Sequence, residues 1–169
     1  MVGNRRSGRV GAGLFGWIHS SGVGELADTG PGRLTGARYV EILDDILLES
    51  VRILLFPEGV PFYLVQDNSP IHTSRVVRDW FQRHPEITLL PHPPRSPDLN
   101  PIEHVWAAMT RRMRANPACH SSDEVIADAR QAWEEIRSPA GQELTVTLVG
   151  SLPSRLNSVI GAGGAYTHY

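Results

Sequence analysis

Lysine is missing altogether, so every one of the 16 basic residues is arginine. GC-rich coding accounts for that bias without any physical purpose, although arginine's planar fork also suits bidentate phosphate contacts. A formal charge of −2 excludes a uniformly basic nucleic-acid binder. Arginines cluster at Arg5, Arg6 and Arg9 and again at Arg111, Arg112 and Arg114, but such clusters are usually solvated faces. The single cysteine, Cys119, excludes an internal disulfide and fits a reducing compartment. No stretch approaches the roughly 20 apolar residues of a membrane helix, and the opening MVGNRRSGRVG has no apolar centre of the kind a secretory signal needs. The expectation is a soluble intracellular protein. With 41% hydrophobic and 20% charged residues, 169 positions suffice for one compact domain with a sizeable core. There is no internal repeat and no sign of a second domain.

Hydrophobic patterning supplies the elements. Val10 to His19 and Val23 to Ala27 read as two strands joined by a Ser-Gly turn, a hairpin. Tyr39, Val40, Leu43, Ile46 and Leu47 recur at helical spacing and predict an amphipathic helix over 36–50, capped by Thr35. FYLVQ, positions 62 to 66, reads as a buried strand that carries Asp67 to its C-terminal edge. Thr73 or Ser74 caps a helix with Val76, Val77, Trp80 and Phe81 inward, Pro85 ends it, and ITLL, 87 to 90, is the next strand. Strand, helix, strand at this spacing predicts a parallel βαβ pair.

PHPPRSPDLNP is too rich in proline for regular structure and predicts a stiff connection over the sheet edge. It leads into a helix whose core stripe is Ile102, Val105, Trp106, Met109 and Met113, with Glu103 on another face. Asn100, Pro101 and Glu103 also match an N-cap, a first-position proline and a capping-box acid, a reading that needs no function. Ser121 and Glu124 match a second capping box, opening a helix to about Arg137 with Val125, Ile126, Ala129 and Trp133 inward. The last 30 residues hold one weaker helix, about Ser154 to Ile160, before a Gly-rich tail.

This order describes an α/β domain with a mixed sheet flanked by helices. Acids at the edge of its central strand and at the start of a following helix are placed to meet. Two hard divalent cations about 4 Å apart, held by such carboxylates, activate a water or 3′-hydroxyl and stabilise the leaving oxygen in an in-line attack on a phosphodiester. Against this, Asp67-Asn68-Ser69-Pro70 is also ordinary turn chemistry, and Asp98 sits in a Ser-Pro-Asp-Leu-Asn turn where backbone bonding is its expected job. His72, His92, His104 and Cys119 have no paired close spacing and do not make a zinc site. His72 and His104 flank the two acids and could touch DNA phosphate or orient a carboxylate.

VQDNSPIHTS (65 to 74), the strand ITLL, PPRSPDLNPIEHVW (93 to 106) and a basic helix, in that order, resemble the catalytic core of Tc/mariner transposases. GLFGWIHSSGVGEL is similar to that family's Trp-Gly hairpin, RYVEILDDILLES to its following helix and RLNSVIGAGGAYTHY to its C-terminal end. The resemblance covers virtually the whole chain and implies a ribonuclease-H-like fold. It further implies that Asp67 and Glu103, with 35 residues between them, are the second and third catalytic acids and ligands for Mg²⁺ or Mn²⁺. DNA is the implied partner, contacted by His72, His104, Arg111, Arg112 and Arg114, and a homodimer is compatible with it.

The family's first aspartate, on a strand before the hairpin, has no counterpart, and neither do its helix-turn-helix domains. The chain therefore reads as a partial DDE catalytic domain missing its first strand, an inactive fragment of a DNA-cleaving and strand-transferring enzyme, working in the nucleus if eukaryotic and otherwise intracellular. The alternative is a non-catalytic remnant serving as a DNA-binding or protein-interaction module. An independent nuclease would need another acid, for which Asp44 and Asp45 are poor substitutes because they lie on a helix.

Overall fold

The hairpin is the axis on which both halves of the core are built. In the computed structural model, which describes residues 11–93, 96–113 and 121–161, strands β1 (Leu14–His19) and β2 (Gly22–Asp28) pair antiparallel across the two-residue turn Ser20-Ser21. Alternation along β1 sends Phe15 and Trp17 to one face and Leu14 and Ile18 to the other. The first face packs with Tyr39, Leu43, Leu47, Val77 and Trp80, the second with Val105, Met109, Trp133, Ile136 and Leu148. Two glycines make this close layering fit. A Cβ on Gly16 would stand 2.7 Å from the Trp133 ring, and one on Gly24 only 1.9 Å from the Trp17 ring.

The helix expected over 36–50 runs further, to Leu54, and is not uniform. Helix α1 (Gly36–Ile42) begins at Thr35, whose hydroxyl accepts the Arg38 N–H at 3.2 Å. A π-wound stretch, Leu43–Leu48, then leads into α2 (Glu49–Leu54). Buried Ser50 marks the irregularity. Its hydroxyl faces the carbonyls of Ile46 and Leu47 and accepts the Trp17 indole N–H at 2.8 Å, which anchors the helix to the hairpin. Ile42, Leu48 and Val51 are buried along with Tyr39, Leu43 and Leu47 of the stripe that simple helical spacing picks out.

The βαβ unit is present. Strand β3 (Phe62–Leu64) and strand β4 (Ile87–Leu89) pair in parallel around α3 (Arg75–Arg83). Two expectations need correction here. Tyr63 is exposed, so β3 is not a buried strand, and Val76 faces solvent while Val77 and Trp80 carry the inner face of α3. More important, the described residues form two separate two-stranded sheets and not one mixed sheet. No ladder joins β1 to β3; side chains bridge them, with Phe15 edge-on to Tyr39 at 6.1 Å and Tyr39 bonded to Gln66 just past β3. Each sheet thus keeps an unpaired outer edge among the described residues.

The proline-rich connection contains one short 3₁₀ turn, Pro97–Leu99, and Leu99 is buried. It enters α4 (Ile102–Met113), followed by α5 (Ser122–Arg137) with its capping box fully formed between Ser121 and Glu124. The C-terminal region holds two helices and not one, α6 (Pro139–Gly150) and α7 (Leu152–Gly161). Local propensity hides α6, because its Thr145, Val146, Thr147 and Val149 are strand formers. Packing decides against that preference, since α6 lies on α5 and on both strands of the hairpin. Arg5, Arg6, Arg9, Arg114, Cys119 and the side chain of Asp98 lie outside the described residues.

Candidate active site

Asp67 follows β3 by three residues, where the chain leaves the sheet. Its Oδ1 accepts the backbone N–H of Ser69 at 3.0 Å, so the turn anticipated for Asp-Asn-Ser-Pro is formed. The same Oδ1 lies 2.7 Å from Nδ1 of His72, and that nitrogen is also 3.2 Å from the Asp67 carbonyl oxygen. Both neighbours are acceptors, which assigns the proton to Nδ1. The His72 ring lies against Tyr39 with centroids 4.5 Å apart, and the Tyr39 hydroxyl donates to Gln66 Oε1 at 2.8 Å. Residues 66, 67 and 72 are in this way held by a helix that starts some thirty positions earlier.

Asn68 ties the other side. Its amide donates to the His92 carbonyl, and His92 Nε2 is 3.1 Å from the Ser96 carbonyl oxygen. The connection that leads to Glu103 is therefore fastened to the residue next to Asp67. A cleft of about 580 Å³ opens beside this loop, walled by Asn68, Arg78, Phe81, Leu89, Leu90 and His92 as well as Asp67. Glu103 is not part of its wall.

Glu103 occupies the first turn of α4 and is half-buried. The capping-box role proposed for it is not realised. The Asn100 N–H that the carboxylate would have taken donates to Pro97 at 3.0 Å, completing the 3₁₀ turn. Among the described residues no hydrogen bond or ion pair engages the Glu103 carboxylate. His104 lies on the same turn, half-buried. Arg111 is exposed, whereas Arg112 is paired with Glu135 of α5 at 3.2 Å. Asp44 accepts the Trp80 indole N–H at 2.8 Å and so serves the core, which leaves it no better as a third acid than sequence suggested.

Burial opposes the charge on Asp67, but the Ser69 N–H and His72 outweigh it and hold the carboxyl below its ordinary 3.8. Burial, and then the Asp67 charge, push the Tyr39 phenol far upward, so it stays a neutral donor to Gln66. A depressed folded-state pKa stabilises the fold above the unfolded value and loses that contribution as pH falls through the folded one. Because the carboxylate is 48% exposed, solvent screening limits the effect to under about 1 kcal/mol. Urea unfolding of wild type and Asp67→Asn should differ by this small amount at pH 7, and the gap should shrink as pH falls below the ordinary 3.8; a gap that widens in acid would contradict the assignment.

Carboxylate oxygens are the donor set of a hard divalent cation. Asp67 and Glu103 each offer such oxygens, but among the described residues no group of three or more His, Cys, Asp or Glu side chains converges, and Glu103 does not line the cleft beside Asp67.

Comparison with known proteins gives the scaffold a lineage. Residues 22–126 match the family described as DDE superfamily endonuclease. The chain is 36% identical over 150 residues to the Tcb1 transposable element transposase of Caenorhabditis briggsae, covering 86% of this chain and 53% of that protein. It is 40% identical over 111 residues to the Tc1 transposase of Caenorhabditis elegans, covering 66% of this chain and 38% of that protein. It thus spans about half, or less, of these relatives' length. The catalytic domain of Mos1 mariner transposase superposes with a TM-score of 0.75 at 26% identity, over 92% of this chain and 75% of that one. The Mos1 paired-end complex with Mn gives a TM-score of 0.77 at 27% identity, over 92% and 44%. The chain has the ribonuclease-H-like fold of these catalytic domains and belongs to the DDE endonuclease superfamily, in its Tc1/mariner transposase branch.

Proposed function

We propose that this chain carries part of the metal-dependent centre that cleaves and rejoins DNA during transposition, with Asp67 and Glu103 as two of its acids. The observation that carries this reading is a carboxylate fixed at one oxygen together with a helix-start carboxylate that serves no cap. Among the described residues the Ser69 N–H and His72 both converge on Asp67 Oδ1, and Glu103 stands at a helix start without serving as its cap. A hard divalent cation, Mg²⁺ or Mn²⁺, supplies Lewis acidity at a phosphoryl oxygen when bound by such groups. The residues' own task is to hold two anionic oxygens rigidly where the scissile phosphate arrives. In the cleavage, a water oxygen bonds to phosphorus as the bond to the 3′ oxygen breaks; in strand transfer, a 3′-hydroxyl takes the place of the water.

The third acid is proposed to arrive on a strand seated between the unpaired edges of β1 and β3. A strand placed there would join the two sheets, which are separate among the described residues. Without it the chain should not cut DNA. The test incubates supercoiled plasmid and Mg²⁺ with the purified chain, and with a version extended at its N-terminus by a family strand carrying an aspartate. Nicking is expected only from the extended protein and is abolished there by Asp67→Asn. Nicking by the chain as it stands, lost in Asp67→Asn, would show that two acids suffice.

DNA is the proposed partner, and paired ends imply two copies; the nucleus is the proposed compartment in a eukaryote. The alternative of a non-catalytic DNA-binding remnant draws less support, because Arg112 is held by Glu135 and α4 therefore offers a thinner cationic face than its sequence suggests.

A further inference from the structure

We propose that Tyr39 and His72 are positioning residues that pin Oδ1 of Asp67 and thereby present Oδ2 alone to a cation. The inference rests on the reading of Asp67 as a metal ligand, and it assigns work to two side chains that need not touch the metal or the DNA.

The geometry is asymmetric in a way that a plain turn does not require. An Asx turn needs one bond, from the Ser69 N–H to Oδ1, and that bond is present at 3.0 Å. His72 adds a second donor to the same oxygen at 2.7 Å and not to Oδ2. Rotating the carboxylate to exchange its oxygens would break both bonds at once. The carboxylate is half-exposed while the His72 side chain is 18% exposed, so the carboxylate stays reachable from solvent while its histidine partner is enclosed.

His72 is itself immobilised. Its ring lies on Tyr39, which is 3% exposed, and the Tyr39 hydroxyl is fixed to Gln66, the residue before Asp67. Phe15 closes the far edge of the Tyr39 ring. The chain of contacts runs from the hairpin through Tyr39 and His72 to one carboxylate oxygen. It fixes a ligand's orientation before a cation arrives, as outer partners do around metal sites.

The test uses the full chain and two readouts, Mn²⁺ affinity from the paramagnetic resonance signal of free Mn²⁺ and hydrogen exchange at the Ser69 amide. Thermal unfolding confirms that each variant is folded. His72→Leu removes the second donor and should weaken Mn²⁺ binding by about tenfold or more, the loss typical of an outer partner, while Ser69 exchange accelerates. His72→Asn places an amide N–H near the Nδ1 position and should restore both readouts. Tyr39→Leu should resemble His72→Leu, whereas Tyr39→Phe keeps the ring under His72 and should stay near wild type.

Unchanged or tighter Mn²⁺ binding in folded His72→Leu would overturn the proposal, because the histidine would then be idle or a competitor. If Asp67→Asn leaves Mn²⁺ binding unaltered, the metal reading itself fails, and pinning is decided by Ser69 exchange alone: acceleration in His72→Leu with recovery in His72→Asn sustains it, and no change refutes it.

Discussion

Trp133→Ala is expected to remove about 3–5 kcal/mol, the range for deleting a fully buried large aromatic, and to leave the chain largely unfolded at 37 °C. Trp133 is 0% exposed and holds three structures together. Its ring stacks on Trp106 of α4 with centroids 5.4 Å apart, its edge lies over Gly16 of β1, and its indole N–H donates to the Gly24 carbonyl of β2 at 2.9 Å. Truncation opens a cavity between layers that cannot collapse, because the hairpin is also fixed on its opposite face by Trp17 and Ser50. Arg137 bonds the same Gly24 carbonyl at 2.7 Å and would keep part of the polar contact, but not the packing. Urea unfolding monitored by far-ultraviolet circular dichroism measures the change. A loss under about 1 kcal/mol would mean that the second core is not organised around this residue.

Trp133 was legible in the sequence because burial on a helix leaves a 3.6-residue trace, and the same trace exposed Trp80, Val105 and Met109. The parallel pairing of β3 and β4 was legible for a similar reason, since strand, helix and strand followed one another at short range. What stayed hidden was set at a distance. Residues 145–149 prefer strand locally and are helical only because α5 and the hairpin lie against them. That the two sheets are separate among the described residues is something no pattern within β1 or β3 could report. Tyr39 was visible only as an apolar helix position, and its grip on Gln66 and His72 spans about thirty residues. For the candidate site, sequence could only nominate the acids and the histidine, while the oxygen to which each donor turns belongs to the fold.

Glu103 and Glu124 carry the sharpest contrast, because local pattern treats them alike and the structure does not. Each stands three residues after a capping residue, Asn100 or Ser121. Glu124 closes its box, accepting the Ser121 N–H at 3.1 Å while the Ser121 hydroxyl accepts its own N–H at 3.2 Å. At Asn100 the corresponding N–H is already bonded to Pro97, since the 3₁₀ turn before α4 takes it first. Glu124→Ala should therefore cost about 1 kcal/mol, as loss of a cap does, and leave Mn²⁺ affinity unchanged. Glu103→Gln should do the reverse. Stability should move by less than about 0.5 kcal/mol, while Mn²⁺ binding falls by about 100-fold or more, beyond what an outer partner costs. Asp67→Asn should share that loss, and the double variant should add little, because on the function proposed above both carboxylates serve the same metal centre. Thermal unfolding and Mn²⁺ titration on the four variants decide the matter. A Glu103→Gln protein that unfolds more easily yet binds Mn²⁺ as before would return this glutamate to the ordinary role of a helix start.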